Sequence, residues 1–188
     1  MKRTLKSLIL TVAFITSVMT FAQKKEIKTS ESNINWTGKK VTGSHTGTLK
    51  LSEGYLVFDG EKITGGEFVV DMTSLTVTDL EAGNGKEKLE GHLNSDDFFG
   101  IKNHKTAKLV VTKAKKTDKG YKLAGDLTIK GKTNPISFDL AVNGDSASTK
   151  LMVDRTKYDI KYGSGSFFDN LGDKTIYDEF ELAVDLKM

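Results

Sequence analysis

The 188-residue chain has no cysteine, one proline and one tryptophan. Without cysteine no disulfide can staple the fold, and no thiol after an export leader can take a lipid anchor, so a packed core must carry the stability unaided. The main apolar run, Leu8 to Phe14 with Ile15 and Val18, is too short and too interrupted by Thr and Ser to make a comfortable membrane span. An excess of charge is missing as well. The formal charge of +3 owes everything to Lys2, Arg3 and Lys6, so removing residues 1–22 leaves a neutral chain with Lys and Asp/Glu interspersed. Such a chain has no electrostatic footprint for nucleic acid or an anionic membrane. The three histidines, His45, His92 and His104, lack zinc-type spacing.

The N-terminus has a basic start, an apolar stretch and small residues at Thr20 and Ala22. This order predicts a secretory signal peptide over 1–22 and a mature domain over 23–188, exported to the periplasm or secreted, with an uncut anchor as the weaker reading. The mature length suits one domain.

Alternating apolar and polar residues predict strands at Ile34–Lys40, Thr46–Leu51, Tyr55–Phe58, Ile63–Val70, Ala107–Ala114, Tyr121–Lys130, Ile136–Val142, Thr149–Asp154 and Ile176–Leu186. Turn signals separate most of them: Ser52-Glu53-Gly54, Asp59-Gly60, Asp118-Lys119-Gly120 and Asn143-Gly144-Asp145. The clearest hairpin runs from Gly125 to Leu140 around Gly131-Lys132-Thr133-Asn134-Pro135, with Pro135 expected at a strand start, where no ladder donor is needed. Phe180, Leu182, Val184 and Leu186 alternate most cleanly and are expected to close the sheet. Short antiparallel strands at this spacing argue for a sandwich or a barrel.

Two long connections break the rhythm, Asp71–His104 and Arg155–Lys174. Helical turns are plausible around Glu87–Leu93, with Ser95 able to cap a short helix. Connections of this length in a compact β domain often serve as lids or binding loops.

Three blocks together resemble the YceI-like family of exported, polyisoprenoid-binding, lipocalin-like proteins. They are Gly91-His92-Leu93-Asn94-Ser95-Asp96-Asp97-Phe98-Phe99, the Gly125–Phe138 hairpin, and Asp154-Arg155-Thr156-Lys157-Tyr158 through Leu171-Gly172-Asp173. The resemblance spans roughly Ser30 to Leu186. The family's usual proline after Asp-Phe-Phe is replaced here by Gly100. The resemblance implies an all-β fold, an extended eight-stranded antiparallel lipocalin-like barrel with short helices in the long crossovers, around an apolar pore for one slender lipid. It also allows a homodimer.

On that reading the ligand-binding residues are Trp36, Phe68, Leu93, Phe98, Phe99, Leu123, Phe138, Phe167, Phe168 and Phe180. Phe98-Phe99 and Phe167-Phe168 either line and gate the pore mouth or plug the barrel ends as core. Trp36 is core or pore wall. His92 with Asp96 and Asp97 fits a polar loop better than a metal or acid–base cluster, so no metal, catalytic residue or cofactor is assigned. Tyr162-Gly163-Ser164-Gly165-Ser166 lacks the order of a nucleophile elbow and reads as a flexible loop. Arg155 and Lys157 beside Tyr158 fit a solvated strand end better than a headgroup contact.

The leading expectation is a carrier of a polyisoprenoid, isoprenoid quinone, fatty acid or fatty amide, without nucleic-acid binding and without stable membrane insertion after leader cleavage. The alternatives are an enzyme acting on such a lipid, or a stress-related protein with a filled barrel.

Overall fold

A computed structural model describes residues 22–188; the expected leader, but for its last residue, lies outside the described residues. The strands are β1 (Gln23–Glu26), β2 (Asn33–Lys40), β3 (Gly43–Asp59), β4 (Lys62–Val77), β5 (Thr106–Thr117), β6 (Gly120–Ile129), β7 (Lys132–Asn143), β8 (Ser146–Asp154) and β9 (Ile176–Lys187), with helix α1 at Lys86–Asn94. All pairings are antiparallel. The ring runs β3-β2-β9-β8-β7-β6-β5-β4 and is closed by the β3–β4 pairing, giving the expected eight-stranded barrel. β1, absent from the expected strands, pairs with Tyr55–Phe58 at the far end of β3.

Closure depends on long, bent strands. The two strands expected at Thr46–Leu51 and Tyr55–Phe58 are one 17-residue strand, β3. Ser52-Glu53-Gly54 makes no turn there. The register to β4 shifts between Leu51 and Glu53, so this polar cluster is a bulge, which raises the local twist that a small barrel requires. Gly54 is needed at the bend, because a Cβ there would stand 2.9 Å from the Phe68 ring. β4 likewise runs on to Val77, past the expected break at Asp71, and carries Met72 and Leu75 into the core.

The β6–β7 hairpin turns on Lys130-Gly131, whose φ values of +50° and +71° are those of a type I′ turn. Pro135 is therefore inside β7, the fourth residue rather than the first, opposite Asp126. β8 pairs with β7 only at Ala141–Asn143, so Pro135 has a partner strand on one side alone and its missing N–H interrupts no central ladder.

The first long connection holds α1 where helical turns were expected. Ser95 closes the helix rather than starting it: its Oγ donates to the His92 carbonyl at 2.7 Å. Glu90 ties α1 to the end of β4, accepting from the Val77 N–H at 2.8 Å and the Thr76 hydroxyl at 2.9 Å. Those two bonds, the backbone one first, with Lys86 nearby, hold the Glu90 carboxyl below its ordinary pKa against the opposing effect of burial. At Gly100, where φ is +58°, the chain takes the left-handed turn that a proline could not adopt.

Candidate ligand-binding cavity

Alternation along the strands sends apolar side chains inward, and they do not fill the barrel. An inner chamber of about 110 Å3, counted as space open to the centre of a water molecule, is walled by Phe68, Leu123, Leu127, Phe138, Leu140, Leu182 and their neighbours. Beyond it lies a middle chamber of about 70 Å3 between Trp36, Leu75, Leu93 and Phe98. Leu49, Phe99 and Phe180 border both chambers, so the Phe99 and Phe180 rings, edge-on at 6.2 Å, form the neck between them. Trp36, Leu93, Phe98 and Ile176 also border a wider vestibule of about 480 Å3, which reaches His92, Tyr162 and the lysines Lys39, Lys40 and Lys88. The three adjoin in series through shared walls, a tract in which the exposed surface of the inner and middle chambers is almost wholly apolar.

Each element places its lining residues for a local reason. Trp36 lies on β2 opposite Gly47, and a Cβ at Gly47 would come within 2.5 Å of the indole, so that glycine makes room for the ring. Leu93 projects from α1 and Phe98 from the turn after it; both are buried. Phe98 packs edge-on against Phe99 at 5.1 Å and against His92 at 5.5 Å, and His92 in turn meets the Tyr162 ring at 4.4 Å. The imidazole is thus an element of an aromatic stack. Among the described residues no three of His, Cys, Asp and Glu are placed to share a metal ion.

Eight of the ten expected ligand-binding residues line the tract: Trp36, Phe68, Leu93, Phe98, Phe99, Leu123, Phe138 and Phe180. Phe167 and Phe168 do not. Their side chains are half-exposed, and neither borders a chamber. They neither border the tract nor pack into the core, because buried anchors fix the backbone before them and leave the two rings facing outward.

Those anchors overturn two further expectations. Arg155 is 2% exposed rather than at a solvated strand end, with Nε donating to the Tyr177 carbonyl, Nη1 to Ile160 at 2.8 Å and Nη2 to Ile176 at 3.0 Å. Its guanidinium also faces Asp178 at 3.5 Å and stands over the Phe98 ring. Burial pushes its pKa down, against the pull of Asp178 and Asp154. With its donors on backbone carbonyls, it fixes the wall of the middle chamber. The loop around Ser164 is likewise held rather than flexible. Ser164 is fully buried, its carbonyl accepts the Phe167 and Phe168 N–H groups, and Gly163 accepts from Ile176.

Missed at the level of sequence were Met72 and Leu75, hidden in the unrecognised end of β4. The alternation Leu75-Thr76-Val77 was the available signal. The structural role of Arg155 had no local signal, since all its side-chain partners but Ile160 lie 21 or more residues away.

Residues 26–188 match the family model described as the YceI-like domain. The chain belongs to the YceI-like family. It is 30% identical over 74 residues to a UPF0312 protein of Serratia proteamaculans, a match covering 39% of this chain and 38% of that one. The chain spans about half the length, or less, of the first curated relatives it matches. Among solved structures, Burkholderia cenocepacia BcnA superposes with a TM-score of 0.64 at 21% identity, covering 85% of this chain and 98% of that one. A polyisoprenoid-binding domain of Saccharophagus degradans implicated in plant cell wall breakdown gives 0.60 at 14% identity, over 88% and 97%. At these identities the likeness is one of fold, and the eight-stranded barrel is common ground.

Proposed function

We propose that this YceI-like protein is a lipid carrier that holds one long-chain apolar molecule, a polyisoprenoid, isoprenoid quinone or fatty-acyl compound, in the barrel. The observation that carries this reading is the series of adjoining apolar chambers, with Trp36, Leu93 and Phe98 shared by vestibule and middle chamber and Leu49, Phe99 and Phe180 by middle and inner chambers. A cavity walled by Leu, Ile and Phe side chains is unfavourable for water and favourable for hydrocarbon. Binding then follows from burial, at roughly 0.8 kcal/mol per CH2 group taken out of water. The likeness in fold to a polyisoprenoid-binding domain supports the same class of ligand.

The wall offers burial and shape rather than a nucleophile with its base, which favours binding over catalysis. We place the carrier outside the cytoplasm, on the strength of the basic, apolar and small-residue order of residues 1–22.

The test is organic extraction of the protein purified from its own export route, followed by mass spectrometry, and titration of the stripped protein with a fluorescent fatty acid. A co-purifying long-chain lipid and saturable binding at one site are expected. Stripped protein that takes up neither fatty acid nor polyprenol would refute the carrier reading.

A further inference from the structure

The large apolar side chains that remain exposed are not scattered. Val41, Tyr162, Phe167, Phe168 and Tyr177 are each about half exposed, and each lies within six residues of Lys40, Tyr162 or Ile176, which border the vestibule; of the exposed large apolar side chains among the described residues, Met152 alone does not. Val41 follows β2, whose Lys39 and Lys40 border the vestibule, and its N–H is bonded to the Thr175 carbonyl. Tyr162 lines the vestibule itself, and Tyr177 lines the middle chamber behind it. Phe167 and Phe168 hang from the buried Ser164 two turns of chain from Tyr162, with the Lys161 ammonium 5.1 Å from the Phe167 ring centre.

Charge contributes only locally, since residues 23–188 are neutral overall. Lys39, Lys40 and Lys88 border the opening and reach no carboxylate among the described residues. Several carboxylates of these segments are engaged elsewhere, Asp79 with His45, Glu87 with the Gly83 N–H, Glu90 with the end of β4, Asp159 with Lys161 and Asp178 with Arg155. Asp169, Asp173 and Glu81 make no ion pair among the described residues, so the surface is no strong polycation. Exposed Phe and Tyr beside unpaired Lys is the composition that seats at a lipid headgroup boundary, aromatic bodies in the acyl edge and ammonium groups among phosphates.

We propose that this surface docks the barrel, mouth first, on a phospholipid bilayer. The commitment to a bilayer comes from continuity: Tyr162 lines the vestibule and Val41 and Tyr177 directly follow Lys40 and Ile176, which border it, so an occupant of this surface lies against the side from which a water-insoluble ligand enters. A bilayer is the reservoir of such ligands. Docking of this kind seats side chains at the headgroup boundary; no described helix is long and apolar enough to cross a membrane. The inference rests on the lipid-carrier reading for its purpose, but its contact surface is tested separately.

The experiment is vesicle flotation with phosphatidylcholine–phosphatidylglycerol liposomes, comparing the protein with Phe167→Ser/Phe168→Ser and with Lys39→Gln/Lys40→Gln. Binding of a fluorescent fatty acid delivered from cyclodextrin is measured on the same samples. The wild type is expected to float with the vesicles. The phenylalanine pair should lose about tenfold in vesicle partitioning, with unchanged thermal midpoint and unchanged affinity for the soluble probe. The lysine pair should lose about twenty-five-fold, a factor of five for each charge, chiefly on anionic vesicles. Wild-type protein that binds the soluble probe but stays off the vesicles overturns the docking and leaves the carrier reading intact. A phenylalanine variant that floats as well as the wild type also overturns it, and points to a protein partner or another face. Failure of the soluble probe to bind strikes the carrier reading, and flotation still decides the docking.

Discussion

Phe98-Phe99 and Phe167-Phe168 are the same dipeptide, each in a long interruption of the strand rhythm, yet they end in opposite environments. Phe98 is buried and Phe99 forms the neck of the tract, while Phe167 and Phe168 are half exposed. The difference lies in what precedes each pair. α1 is fastened to the end of β4 by Glu90, so the turn after it is pressed into the barrel opening. The second connection is fastened from inside by Arg155 and Ser164, and once these hold its backbone the following residues face outward. Paired aromatics in a loop therefore say that burial is available, and the anchor decides whether it occurs.

The sharpest test of the contrast is truncation. Phe98→Ala is expected to cost about 3–5 kcal/mol of folding free energy, since a buried ring and its packing against Phe99, His92 and Arg155 are lost. Phe168→Ala should stay within about 0.5 kcal/mol, as for an exposed position. Denaturant midpoints measured side by side decide the matter, and comparable losses at the two positions would break the comparison.

A second test concerns the anchored start of the second connection. Tyr158 is buried, and burial first, then the neighbouring Asp154, pushes its phenol pKa from 10.0 up to about 12. The folded state keeps a proton that the unfolded chain releases, so this contribution is full below pH ~10 and fades as pH rises toward 12. Up to about 3 kcal/mol is at stake, and Tyr158→Phe should flatten that part of an alkaline unfolding curve.

The neck gives a smaller effect. Phe180→Trp narrows the passage between middle and inner chambers and is expected to weaken binding of a long-chain probe about tenfold, near 1.4 kcal/mol, while a short-chain probe is affected less. Equal losses for both chain lengths would argue that Phe180 is wall rather than neck.

The smallest effect is at the vestibule rim. The Asp79 pKa is lowered: burial acts to raise it, but the Thr46 N–H and the His45 ring outweigh that. A depressed carboxylate contributes stability above its unfolded pKa and loses it as pH falls through the folded value. Asp79→Asn should therefore remove a small part of the acid sensitivity below pH ~4 and cost under about 1 kcal/mol at neutral pH.

Much of this was legible in the chain. The alternation at Leu123–Ile129, Phe138–Leu140 and Phe180–Leu186 identified inward faces correctly, because a period of two survives any curvature of the sheet. Ser52-Glu53-Gly54 misled for the opposite reason: turn chemistry and bulge chemistry use the same residues, and only the neighbouring strand tells them apart.

By itself, then, the sequence determined the barrel strands to within one merger, though not β1, together with the inward faces and the absence of staples, since these follow from local periodicity and composition. Only the tertiary structure decided that the barrel closes over a tract instead of a filled core, and that one phenylalanine pair turns in while the other turns out. Those outcomes rest on contacts between residues distant in the chain, Glu90 with Val77, Arg155 with Ile176 and Tyr177, and Phe99 with Phe180, which no local pattern encodes.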